Sequence, residues 1–168
     1  MQKLLLLFLM IIGNFVFAQP QPNILCITIE DTSPQFIGCY GNENARTPVI
    51  DKLAAEGVRF SNTFSTGTVC SPSRTAIITG VKTYKTGSGN HRSKYQVPVF
   101  IKGFPYYLQQ LGYYTTNNAK TDYNVANEKE FIAEAWNESS NKAGWWNRNP
   151  GQPFLRFLIT TNRTSREP

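Results

Sequence analysis

Cysteine, histidine and blocks of like charge are all scarce in this chain of 168 residues, which holds three cysteines and one histidine. Its 17 Lys and Arg against 11 Asp and Glu give a formal net charge of +6, yet the positive residues are spread out and form no run of five or six. With neither a basic stripe nor a recognisable nucleic-acid module, the chain is not read as a nucleic-acid binder. The mild positive excess suits an anionic substrate, and equally an ordinary surface. No internal repeat or low-complexity segment occurs. Beyond residue 18 no apolar run approaches the roughly 20 residues that span a bilayer, which argues against a stable membrane anchor there. Three cysteines, Cys26, Cys39 and Cys70, are an odd number, so at least one thiol is free or modified. Cys26 sits in a strand-like run and reads as an apolar filler.

What is present begins with a leader. Lys3 precedes a wholly apolar run over 4–12, broken by Gly13-Asn14, and Val16-Phe17-Ala18 offers small residues at the positions a signal peptidase inspects. Residues 1–18 are therefore expected to be a signal peptide cut near Ala18, and the protein to be exported, periplasmic or extracellular. The remainder, residues 19–168, is enough for one core and one domain.

Along that remainder strands alternate with helices. The run 24–29 is almost continuously apolar and β-branched, which predicts a strand buried on both faces. Thr47-Pro48 predicts a capped helix start with Ile50, Leu53 and Ala54 on its apolar face and Gly57 at its end. A second strand is predicted over 58–64, and a helix from Ser71-Pro72 to Gly80. A polar loop over 82–95 carries His91. Helices over 104–111 and 127–136 and strands over 113–117 and 154–159 complete the pattern. This is the pattern of an α/β fold with a mostly parallel central sheet flanked by helices. The tail 160–168 is polar, with no closing helix or edge strand, so the domain is expected to be incomplete at its C-terminus and the tail aberrant.

Two motifs carry chemistry. Glu30-Asp31 places adjacent carboxylates at the carboxyl end of the first strand, where ligands gather in open α/β sheets. Hard oxygen donors there suit Ca²⁺, or Mg²⁺. Cys70-Ser71-Pro72-Ser73-Arg74 then opens a helix whose first turn holds an arginine. Unpaired N–H groups at such a start favour an anion, and Arg74 adds charge-assisted hydrogen bonds.

The pentapeptide reads C-x-P-x-R and resembles the nucleophile signature of the sulfatase family, in the alkaline-phosphatase-like superfamily. The resemblance covers nearly all of the mature chain. Pro22-Asn23-Ile24-Leu25 before the acidic pair resembles the family's opening strand. Thr47-Pro48, Asp51, Leu53-Ala54, Gly57 and Phe60 resemble its next helix, and Thr79-Gly80 resembles the end of the nucleophile helix. Leu111-Gly112-Tyr113 leading to Lys120 resembles the approach to its substrate-binding lysine.

The resemblance implies hydrolysis of sulfate esters, on a sulfated sugar or polysaccharide. Cys70 would be oxidised to formylglycine by a formylglycine-generating or anaerobic sulfatase-maturating enzyme. Glu30, Asp31 and the modified Cys70 would hold the metal, Arg74 would orient the nucleophile, and Lys120 and His91 would bind substrate. Its hydrated aldehyde would attack sulfur with one hydroxyl and expel sulfate with the help of the second. The sequence departs from the family pattern in places. Glu30 stands where the family has Asp, and Thr121-Asp122-Tyr123 stands where Trp-His often follows the lysine. The distal Asp-Asn or Asp-His pair is not in this sequence, and 160–168 lacks the expected histidine. Two rival readings are a phosphoester or phosphonate hydrolase of the same superfamily, and an inactive fragment that at most binds sulfated glycans.

Overall fold

A run rich in β-branched residues, Ile24–Glu30, forms β1, the edge strand of a parallel sheet in the computed structural model, which describes residues 20–161. The expected leader at 1–18 and residues 162–168 of the expected tail lie outside the described residues. Chain order then brings α1 (Pro48–Glu56), α2 (Cys70–Thr79), the short α3 (Thr83–Thr86), α4 (Phe104–Gln110), β2 (Tyr114–Asn117), α5 (Glu128–Ala135), β3 (Glu138–Ser139) and β4 (Phe154–Thr161). The four strands pair in the order β1-β4-β2-β3, every pair parallel. β4 continues through Thr160 and Thr161, two residues expected to belong to the tail.

The core fills one face of this sheet. Leu155 from β4 is fully buried, with Ile78 from α2, Val125, and Phe131 and Ala135 from α5 packed around it. Cys26 packs against this cluster, and burial pushes its thiol pKa up, as suits an inert filler. All three cysteines are free, and no disulfide joins Cys39 to Cys70. Tyr123 lies edge-on to Phe131 with ring centroids 5.6 Å apart, and its hydroxyl accepts a hydrogen bond from Trp136 Nε1. Among the described residues no helix is long and apolar enough to cross a membrane.

Four sequence expectations are corrected. β1 is not buried on both faces: its residues alternate, and Leu25 and Ile27 are each 55% exposed. Residues 58–64 form no strand, and Phe64 is 88% exposed. Apolar β-rich patterning makes a strand only where an edge is available to pair with, and this run pairs with none among the described residues. Helix α1 forms where expected, but its apolar residues include no buried one. Thr47 does not cap it: the hydroxyl accepts from Gly38 N–H and donates to Asp51. Lastly, α2 starts one residue early, with Val69 as N-cap and Cys70 already helical.

Candidate active site

The cleft of about 200 Å³ at the carboxyl end of β1 is lined by Thr28, Glu30, Asp31, Cys70, Arg74 and Tyr123, among others. The strand delivers Glu30 and Asp31 to its own end, and Asp31 then turns the chain with φ +55°. The helix delivers Cys70 and Arg74. Gly67 makes the approach to α2 tight: a Cβ there would lie 2.7 Å from Pro72 Cβ. At its far end α2 stops at Gly80, which takes φ +67° and donates its N–H to Ala76 O.

Glu30 organises the cleft. Its Oε1 accepts from Arg74 Nη2 at 3.1 Å and from Lys120 Nζ at 2.5 Å, joining residues 44 and 90 positions apart. Arg74 also donates to the Lys120 carbonyl. Lys120 reaches this position through a turn after β2 in which Ala119 takes φ +63° and Asn117 donates to Lys120 O. Burial alone would raise the Glu30 pKa. The hydrogen bonds and charges of Lys120 and Arg74 outweigh it and hold the carboxyl below the ordinary glutamate range. Burial drives Tyr123 the other way, up to about 12, so its phenol stays protonated.

No side chain caps α2: the Val69 carbonyl accepts from Ser73 N–H, but the Val69 side chain at the N-cap has no oxygen to offer the first N–H groups. Cys70 is half-buried at this open N-terminus. Beside it the buried Ser71 hydroxyl accepts from Arg92 N–H at 2.8 Å and lies 3.2 Å from His91 Nδ1. In the tautomer where that hydroxyl donates to Nδ1, the His91 proton sits on Nε2. The structure thus groups Glu30, Arg74 and Lys120 directly and sets Cys70 and Asp31 on the same cleft. His91 is tied to the neighbouring Ser71 and is itself exposed.

The expected metal ligands Glu30 and Asp31 are hard oxygen donors, and the buried Thr28 hydroxyl on the same cleft has no hydrogen-bond partner. That chemistry fits Ca²⁺ or Mg²⁺. One Glu30 oxygen is already shared by two cations, and no group of three or more His, Cys, Asp or Glu residues forms among the described residues. The set fits as part of a site.

Several supporting residues were invisible to motif reading. Asn124, fully buried, donates through Nδ2 to the carbonyls of Ser88 and Asn90 and accepts from Lys94 N–H. Its own N–H donates to Thr75 Oγ1 on α2, which donates to Ser71 O. One residue therefore ties the His91 loop, held by its side chain, to α2, held by its backbone N–H. Asn124→Ala is expected to cost about 1–3 kcal/mol, because the buried Ser88 carbonyl and two part-buried backbone groups, Asn90 O and Lys94 N–H, lose their partner at once. A shift in the urea midpoint corresponding to less than about 0.5 kcal/mol would show that the loop holds its place without it.

Backbone strain recurs near the site. Among the described residues the non-glycine positions at positive φ are Asp31, Arg92, Lys94, Ala119 and Asp122. Asp31 lines the cleft, Arg92 is bonded to Ser71 beside Cys70, and Ala119 and Asp122 flank the Lys120 turn. Each such residue costs roughly 1–3 kcal/mol and persists where its surroundings fix it. Arg92 and Asp122 face each other: Nε donates to Oδ1 at 3.1 Å and Nη2 to Oδ2 at 3.2 Å.

Comparison with known proteins gives one answer. The family model described as Sulfatase matches residues 22–163. An ulvan-active sulfatase of Formosa agariphila is 38% identical over 154 residues, 84% of this chain and 25% of that protein. An N-acetylglucosamine-6-O-sulfatase of Bacteroides thetaiotaomicron is 35% identical over 95 residues, 56% of this chain and 17% of that protein. Among solved structures, one in complex with its substrate D-glucosamine-2-N,6-O-disulfate superposes with a TM-score of 0.68 at 23% identity, over 87% of this chain and 35% of that one. A 2-O GAG sulfatase superposes with a TM-score of 0.67 at 19% identity, over 85% of this chain and 35% of that one. These likenesses establish the fold, and the chain spans 25% of the length of the ulvan-active relative.

Proposed function

This chain belongs to the sulfatase family, and from that premise we propose that its cleft takes part in hydrolysing sulfate esters of sugars, with Cys70 as the nucleophile. The observation that carries the reading is the meeting of Arg74 and Lys120 on one Glu30 oxygen, beside Cys70 at an uncapped helix start. Arg74 and Lys120 can turn their remaining N–H groups to ester oxygens, and the first N–H groups of α2 add donors. Glu30 holds both cations in place before substrate arrives, so little is spent on ordering them. His91 Nε2 is the group that would meet the sugar or the leaving oxygen.

Arg74 and Lys120 bring two positive charges, and Glu30 and Asp31 two negative ones, so these side chains cancel. An anionic ester needs more positive charge than that, which supports a divalent ion, Ca²⁺ with Mg²⁺ as the alternative, held by Glu30, Asp31 and the modified Cys70. Such an ion supplies Lewis-acid and charge-neutralising chemistry. Conversion of Cys70 to formylglycine by a maturating enzyme would supply an aldehyde hydrate as nucleophile. Sugar substrates are supported by the names of the relatives, and the proposed compartment is outside the cytoplasm.

The test compares release of sulfate and of phosphate from matched aryl esters in Ca²⁺-containing buffer. Sulfate release is expected to exceed phosphate release at least tenfold. Equal or faster phosphate release would assign the cleft to phosphoester chemistry instead. Mass measurement of the Cys70 peptide, expected to be lighter by about 18 Da, checks the modification separately.

A further inference from the structure

Arg92 presents the clearest chemistry that the hydrolytic groups leave unused. Its backbone N–H is bonded to the hydroxyl of Ser71, the residue after Cys70, which ties it to the first turn of α2 next to a residue that lines the cleft. Its guanidinium is 63% exposed, while the Asp122 carboxylate that holds it is 18% exposed. Two of its N–H groups go to Asp122, through Nε and Nη2. A guanidinium has five, so the Nη1 and remaining Nη2 donors form a second fork with no partner among the described residues. Such a fork matches a carboxylate or a sulfate in the plane.

Stability does not account for this arrangement. Both partners sit at positive φ, +50° and +48°, a conformation unfavourable for L residues. An exposed ion pair repays little of such a cost. The Asp122 carboxylate raises the Arg92 pKa, with a smaller contribution from Cys70, in keeping with a guanidinium near the nucleophile. Asp122 fixes the direction of the fork and Ser71 fixes its distance from the cleft.

Building on the sulfate-ester reading, we propose that Arg92 is a specificity residue that recognises a second anionic group on the substrate, a carboxylate or another sulfate beside the ester being cleaved. The preferred substrate is then a sugar carrying two neighbouring acidic groups, and Asp122 is a positioning residue.

The experiment titrates the full chain by calorimetry, in Ca²⁺-containing buffer, with three methyl glycosides that share one sulfate ester. One is otherwise neutral, one carries a second sulfate, and one carries a ring carboxylate. Wild type is expected to bind one or both of the doubly anionic sugars at least tenfold more tightly than the neutral one, and the stronger of the two names the group. Arg92→Ala should erase that preference while leaving affinity for the neutral sugar within about twofold. Arg92→Lys should restore only part of the preference, since a lysine keeps charge without the fork. Unchanged thermal midpoints for both variants exclude misfolding. If wild type binds all three alike, or if Arg92→Ala weakens all three alike, Arg92 has no such role and the sulfate reading stands. If none of the three binds, the sulfate reading fails and this inference fails with it.

Discussion

Glu30→Gln is expected to destabilise the protein by about 3–5 kcal/mol, the range for removing one partner from a buried ion pair. The substitution keeps shape and volume, so no cavity contributes. What it removes is the charge that faces two cations. Arg74 and Glu30 side chains are only 10% and 12% exposed, which puts the pair in the buried regime. The i,i+4 pair Lys52–Glu56, 73% and 63% exposed, supplies the control. Glu56→Gln should change stability by less than about 0.5 kcal/mol. Urea unfolding in the presence of a chelator reads both. A Glu30→Gln loss below about 1 kcal/mol would mean that solvent, rather than Glu30, neutralises Arg74 and Lys120.

The same carboxylate makes a pH prediction. Its pKa is depressed in the folded protein, burial being outweighed by Lys120 and Arg74. The folded state therefore binds fewer protons than the unfolded one in this range. The stabilisation is complete above the ordinary glutamate value of about 4.3, and fades as pH falls below that through the folded value. Wild type should lose stability in acid more steeply than Glu30→Gln, which has no proton to gain at this position. Parallel acid limbs for the two proteins would remove the assignment.

Strand β1 was legible because its short run is apolar and β-branched, and strand β4 because Gln152-Pro153 sets off an apolar run too short for a helix. The order acidic pair, C-x-P-x-R and Lys120 was legible because each piece falls at an element end. What covers an apolar face was not. Leu25 and Ile27 in β1, Leu53 in α1 and Phe60 and Phe64 after it all announce a need for burial, yet they are exposed among the described residues. Periodicity reports that a face is apolar and says nothing of its partner. The polar supports were hidden for another reason. Asn124 works by reaching three backbone groups 30 or more residues away, and Arg92 meets Asp122 only because both backbones adopt left-handed turns. No local spacing encodes either contact.

Cys70 should show the opposite signature to Glu30: a large loss of turnover with little loss of stability. The residue is half-buried in the first turn of α2, in no disulfide. Alanine keeps the backbone donors and favours the helix, so Cys70→Ala should alter the unfolding free energy by less than about 1 kcal/mol. Sulfate release should fall by roughly a thousandfold or more, the scale on which removing a nucleophile acts. Binding of a sulfated sugar should persist, because Arg74, Lys120 and the helix start are untouched. Cys70→Ser separates the routes that remain. A single hydroxyl can attack sulfur and release the alcohol, but it has no second hydroxyl to expel the sulfate. That variant should stop after one equivalent of alcohol, with a mass gain of about 80 Da on the peptide. Full turnover by either variant would show that the nucleophile lies elsewhere, with Cys70 only marking the start of the helix that binds the anion.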